Sequence, residues 1–327
     1  MLLATPLLLS GVTHSTFQLT EPRREVGVVA LADRVLVAGG CRDTGSAFVC
    51  TSPTSTIDVV TPVGVVGQGN LSSARGWAAG CRAGDEAVFV GGGSLENAAH
   101  SAAADFAARD GGVRTQRVLD FGRWGVGCVG GDGGAEFAGG LGYLPGKYRV
   151  TPEVVAYGAE GWTQNAPLSS PRESVAGLRS HGAVLWIGGW KETPTEGAEP
   201  IDSTPVATVE VVRHNRTTLL EMSSPSYWTG AAVGADGNAY LVGHTGMDIY
   251  DGTSLHTVAI PPELVERNTS TYIKGGGGIP GAHVPNNGVA VGNRVCFYAY
   301  VPASSRGAAR GGAAAGGAAA GGAAAGG

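Results

Sequence analysis

Four arginines head the same local pattern in this sequence: Arg23, Arg75, Arg123 and Arg172, with Tyr227 in the fifth place. Each opens an apolar run; a polar turn follows, and a second apolar run ends on a glycine sixteen residues after the arginine, at Gly39, Gly91, Gly139 and Gly188. Weaker copies run from Tyr227 to Gly243 and from His283 to Ala299. Aromatic residues gather at both ends of the pattern. Trp77, Trp124 and Trp228 stand close behind the leading residues, while Trp190 and His244 follow the glycines. Arginine keeps its charge and offers a planar fork that fits carboxylate or phosphate, and tryptophan adds flat apolar surface with a hydrogen-bond donor. Brought together, these side chains would recognise an anion or an acidic peptide segment. The competing account is structural: each arginine pairs with a carboxylate of its own unit, such as Glu25, Asp120 or Glu173, and fixes a turn.

Other reactive patterns are sparse. His14, His181, His214, His244, His256 and His283 are scattered with no i, i+4 pair, and no C-x-x-C or zinc spacing occurs, so no metal and no cofactor is expected. No G-x-S-x-G elbow, H-E-x-x-H helix or P-loop is present. Of five cysteines, Cys81, Cys128 and Cys296 fall within expected strands and read as small buried hydrophobes. Cys41 and Cys50 bracket a loop and are placed to pair, although nothing else indicates a disulfide framework. Sequons stand at Asn70, Asn215 and Asn268.

The elements that must carry these residues are strands. Residues 26–32 and 35–40 are short apolar runs joined by a tight Asp33–Arg34 turn, which is the signature of a hairpin. A strand at 56–62 and a weaker one ending near Asn70 complete a unit before Arg75 restarts it. The Ala-rich stretch 94–110 lacks a consistent apolar stripe and reads as a long loop with the third strand of the second unit. The glycine anchors recur every 48 to 56 residues, and four strands per interval of that length is the pattern of a propeller blade. Fifty-six glycines suit the many tight turns. A net charge of −5 with no clustered basic excess argues against a nucleic-acid partner, and no apolar run is long enough to span a bilayer.

The double glycines Gly39–Gly40, Gly91–Gly92, Gly139–Gly140 and Gly188–Gly189, each behind an apolar strand, together with Tyr157 and Trp162, resemble the kelch-repeat β-propeller family. The resemblance covers about 300 residues and is uneven: the fifth unit has Gly243–His244 and the sixth Ala299–Tyr300. It implies an all-β, six-bladed kelch-type propeller of four-stranded antiparallel blades over residues 1–302, with residues 303–327 a disordered Ala/Gly-rich tail. The sixth unit supplies only two strands at its end of the chain. Residues 5–11 and 15–23 align with the missing pair, so the N-terminal strands are expected to close the last blade.

In such a propeller the leading residues and the loops after the double glycines share one mouth of the central channel. The expected ligand site is therefore Arg23, Arg75, Arg123, Arg172, Trp77, Trp124, Tyr227, Trp228, Trp190 and His244, with no catalytic residue assigned. The leading expectation is a non-catalytic interaction module that binds an acidic protein or peptide segment there. The alternative is a kelch-type mutarotase or epimerase acting on an anionic sugar, for which Asp43 and Glu192 are the acidic residues best placed to move protons. A cytoplasmic location is expected, and the three sequons keep a secreted one open.

Overall fold

The computed structural model describes residues 19–42, 50–94, 99–144, 147–192, 203–223, 230–234, 236–242, 247–258, 288–291, 294–298 and 320–323. The described residues form strands, turns and no helix. Five four-stranded antiparallel units follow one another along the chain, the second and third joined through one parallel bridge, Ala83 to Gly131, into an eight-stranded sheet. The first is Gly27–Ala30, Val35–Ala38, Thr56–Thr61 and Gly64–Asn70, and the second Ala79–Ala83, Glu86–Val90, Ala103–Ala107 and Val113–Arg117. The third is Gly127–Gly131, Gly134–Ala138, Val154–Gly158 and Gly161–Asn165, and the fourth Ala176–Ser180, Ala183–Ile187, Thr208–Arg213 and Arg216–Glu221. Gly230–Val233, Ala239–Val242, Met247–Tyr250 and Leu255–Val258 make the fifth. Within every unit the spatial order is the sequence order.

Burial changes systematically across each sheet. Second strands are covered on both faces, and all five residues of Ala183–Ile187 are buried. Fourth strands are polar and mostly exposed, as in Val113–Arg117 and Arg216–Glu221, which blunts the outer edge against pairing with other chains. The apolar cores lie between consecutive sheets. Leu36, Ile57 and Phe89 join the first to the second, Val88, Phe106 and Phe137 the second to the third, Val129, Val184 and Trp186 the third to the fourth, and Leu185, Val209 and Leu241 the fourth to the fifth. First strands of consecutive sheets lie side by side and are rich in small residues. At Gly130 a Cβ would sit 2.0 Å from the Arg82 carbonyl oxygen of the neighbouring sheet.

A sixth, three-stranded sheet consists of Gly288–Val291, Arg294–Tyr298 and Ala320–Ala323. Its third strand comes from the Ala/Gly tract expected to be a disordered tail, where backbone pairing needs no side chain. The N-terminal strands expected to close the ring fall on residues 1–18, outside the described residues except for the last part of the 15–23 segment.

Candidate functional site

The double glycines act between sheets. Gly39, Gly91 and Gly139 have φ of +63°, +64° and +68°, and a Cβ on each would lie 2.3–2.4 Å from the carbonyl oxygen of Arg75, Arg123 or Arg172 in the next sheet. Only glycine tolerates both the conformation and the contact. The following glycine donates its N–H to that same carbonyl, with Gly40, Gly92 and Gly140 at 2.9, 3.0 and 3.0 Å. Each Gly-Gly step thus holds the backbone of the next sheet's arginine.

The arginine side chain then turns back into its own sheet. Arg23 pairs with Asp58 at 3.0 Å, Arg75 with Asp105 at 2.7 Å, Arg123 with Glu153 at 3.3 Å, and Arg172 with Glu210. All four guanidinium side chains are no more than 1% exposed. Three of the carboxylates also accept two hydrogen bonds from a residue three positions before their arginine. Thr20 bonds Asp58 through N and Oγ1, Ser72 bonds Asp105 through N and Oγ, and Ser169 bonds Glu210 in the same way. Ser223 repeats this with Asp248 in the fifth sheet. Burial pushes the guanidinium pKa of Arg75, Arg123 and Arg172 down, and their carboxylates oppose it; arginine stays charged regardless. Burial alone would raise Asp105, but Arg75 and the Thr115 and Ser72 donors outweigh it and leave the carboxyl below its ordinary value.

Beyond the arginines, each sheet carries a short second tier at this end. In the first four sheets its members, three to a sheet, are Arg24–Cys41–Pro53, Gly76–Gly93–His100, Trp124–Leu141–Val150 and Glu173–Trp190–Pro205. The residue two after each arginine (Glu25, Trp77, Gly125 and Ser174) has a left-handed backbone, with φ between +54° and +64°. These residues bond around the axis, Trp77 N to Glu25 O at 3.0 Å and Ser174 N to Gly125 O at 2.6 Å. The Trp77 and Trp124 rings lie 6.3 Å apart and pack with Cys41, Cys50, Leu141 and Tyr148.

Glu25 is the chemically distinctive group at this mouth. Its side chain is 7% exposed, with Arg24 Nη1 3.4 Å from Oε1. Burial raises the carboxyl from 4.5 to about 7, and Arg24 and the Trp77 indole, which favour the ionised form, offset that only in part. Glu25 Oε2 and Trp77 Nε1 are both buried and have no hydrogen-bond partner among the described residues. They lie side by side, the indole N–H near enough to favour the ionised carboxyl without meeting it in full hydrogen-bond geometry, which is uncommon in a finished interior. His100, in the same tier, also has both ring nitrogens buried and unpartnered, and burial lowers its pKa.

No family model matches the chain, and it has no match among curated proteins. Among solved structures, that of YjhT aligns with a TM-score of 0.56 at 13% identity, over 72% of this chain and 84% of that one. YjhT is a β-propeller. The fold is β-propeller-like. At this identity the likeness concerns fold alone, and the sheets can be called blades.

The expected site residues separate into three groups. Arg23, Arg75, Arg123 and Arg172 are brought to one end of successive blades, but their charge is spent on carboxylates inside the blades rather than displayed at the mouth. A guanidinium at this depth needs a paired anion, and the partners are Asp58, Asp105, Glu153 and Glu210; of the carboxylates anticipated from sequence, Asp120 approaches its arginine, at 3.9 Å. Trp77, Trp124 and Trp190 are at the mouth and each is 6% exposed. Tyr227, Trp228, His244 and Asp43 lie outside the described residues, as does the side chain of Glu192. Among the described residues, no three His, Cys, Asp or Glu cluster as metal ligands, and no helix is long and apolar enough to cross a membrane.

The cysteines require a correction. Cys41 and Cys50 form a disulfide with Cα atoms 5.5 Å apart, and Cys81 and Cys128 form a second, joining the inner strands of blades two and three. Cys81 and Cys128 are 47 residues apart, and the side-by-side inner strands bring them together. Sequence reasoning also missed Glu25 and His100 as site residues. Glu25 stood only as an arginine partner, and no motif marks either residue.

Proposed function

We propose that the chain is a six-bladed kelch-type propeller whose mouth interconverts the anomers of a small acidic sugar, with Glu25 as the acid–base group. The observation that carries the reading is the buried Glu25 carboxyl, raised to about 7, with its Oε2 and the adjacent Trp77 Nε1 short of full hydrogen-bond geometry. Opening a cyclic hemiacetal requires a proton to leave the anomeric hydroxyl and another to reach the ring oxygen as the C–O bond breaks. A protonated carboxyl does both at once: its O–H donates to the ring oxygen while its carbonyl oxygen accepts from the hydroxyl. The carboxyl is restored in its other tautomer, and ring closure reverses the exchange. A pKa near the working pH suits a group that must hold its proton yet hand it over. Trp77 and Trp124 supply flat apolar walls for the C–H face of a sugar. Arg24, against Glu25, and the exposed Lys191 next to Trp190 provide positive charge for a sugar carboxylate.

The acidic-segment reading rested on an open ring of arginines, and the pairing of all four inside the blades favours the sugar reading. The test is anomer exchange followed by NMR with a panel of uronic and sialic acids. The wild-type chain is expected to accelerate exchange for at least one of them, and Glu25→Gln to lose the acceleration. Exchange at the uncatalysed rate across the panel, or an undiminished rate in Glu25→Gln, would end the proposal.

A further inference from the structure

We infer that Asn215 is an N-glycan acceptor and that the chain matures in an oxidising secretory compartment. Asn215-Arg216-Thr217 lies at the tip of the hairpin joining the last two strands of blade four, at the end remote from the mouth. His214 and Asn215 have φ of +49° and +59°, and residues 214–219 are all exposed. The Asn215 amide makes no contact among the described residues that a glycan would replace. Asn70 differs: its Oδ1 accepts from Ser55 at 3.2 Å, and the hydroxyl of its Ser72 is committed to the buried Asp105. Asn268 lies outside the described residues.

The disulfides are an independent observation pointing to the same compartment. Cys41, Cys50 and Cys128 are buried at 2% exposure or less, and one bridge ties two blades together, so both are built into the fold. Disulfides of this structural kind form and persist in the oxidising lumen where glycan transfer takes place. In the transfer, Asn215 Nδ2 forms a bond to C1 of a sugar chain carried on a polyisoprenyl diphosphate. The C1–O bond to the diphosphate breaks, the lipid diphosphate leaves as the anion, and the amide proton passes to the base of the transferring enzyme.

The test directs the full chain through the secretory pathway of a eukaryotic host and removes glycans with an amidase in ¹⁸O water. Asn215 should be recovered as ¹⁸O-labelled Asp, and Thr217→Ala should lose one glycan's mass while keeping the wild-type unfolding temperature and four oxidised cysteines. A secreted, disulfide-bonded chain with unmodified Asn215 would overturn the inference. So would a glycan on Asn70 alone, or a mass shift that survives Thr217→Ala. None of these outcomes bears on Glu25 or on anomer exchange.

Discussion

Glu25→Gln should make the protein more stable in mild alkali, and by an amount the structure specifies. The carboxyl is 7% exposed and held at about 7 by burial, against 4.5 ordinarily. Each pH unit of difference corresponds to about 1.4 kcal/mol, so ionising Glu25 in the folded state costs about 3 kcal/mol. The sign follows from where the proton sits. Between pH 4.5 and about 7 the folded protein keeps a proton that the unfolded chain has released, so stability falls as pH rises through this window. Below it the wild type carries no penalty; above it the full penalty applies. Glutamine keeps the shape and never ionises. It also cannot form the ion pair with Arg24, but that pair, 3.4 Å long and partly exposed, is worth at most about 1 kcal/mol. Urea unfolding of wild type and Glu25→Gln at pH 4.5 and pH 8 gives a double difference in which every other titrating group cancels. The variant should gain about 2–3 kcal/mol on the wild type between the two pH values. A double difference within about 0.5 kcal/mol of zero would show that Glu25 is solvated and ordinary, and the proposed acid–base role would fall with it.

Three further outcomes follow from the packing. Arg172→Ala strands Glu210, 1% exposed, and should cost about 3–5 kcal/mol in urea unfolding, whereas Arg172→Met combined with Glu210→Leu should recover most of that; a single variant within about 0.5 kcal/mol of wild type would refute the pairing. Gly139→Ala puts a Cβ 2.3 Å from the Arg172 carbonyl at φ +68° and should prevent folding by circular dichroism, while Gly133→Ala, with nothing within 4 Å, should unfold within about 0.5 kcal/mol of wild type. Replacing Cys81 and Cys128 with serine, which frees the cross-link between blades two and three, should lower stability by about 2–4 kcal/mol, and an unchanged urea midpoint would count against the bridge.

What was legible in the sequence was whatever the blades repeat. The Arg-to-Gly interval located strand pairs such as Val35–Ala38 and Ala183–Ile187, because a fixed period and alternating burial leave a direct trace in composition. The partner carboxylates were not legible. Asp58, Asp105, Glu153 and Glu210 lie 30 to 38 residues beyond their arginines, across a loop of variable length, whereas of the nearer carboxylates Asp120 reaches its arginine only at 3.9 Å and Glu25 pairs with Arg24. The Cys81–Cys128 bridge was hidden for the same reason, since adjacency between inner strands is set by the packing of one sheet against the next. Glu25 was invisible in a different way: its chemistry arises from burial, and burial at a tier above the sheet follows no period.

The four arginines and the four residues two positions after them separate folding from something else. At the arginines the blades agree in side chain, in a paired carboxylate and, in three of the four, in the burial of that carboxylate and the serine or threonine that caps it. A buried guanidinium without its partner would cost several kcal/mol, so the demands of the fold suffice to keep the set intact. Two residues later the blades share a backbone, left-handed and bonded around the axis, but not a side chain: Glu25, Trp77, Gly125 and Ser174. There the fold asks only for the conformation, and glycine meets that at least cost, as Gly125 does. Glutamate and tryptophan at this position bear a backbone strain of order 1 kcal/mol or more each, and Glu25 adds a carboxyl that burial holds at about 7. Trp77 fills the cluster with Cys41, Cys50, Trp124 and Leu141, but the packing of the blades does not require a carboxylate at Glu25. An acidic residue that the architecture does not demand, its Oε2 buried short of full hydrogen-bond geometry with the Trp77 indole, is the reason the proposed chemistry is assigned to Glu25 and Trp77 and not to the arginines beneath them.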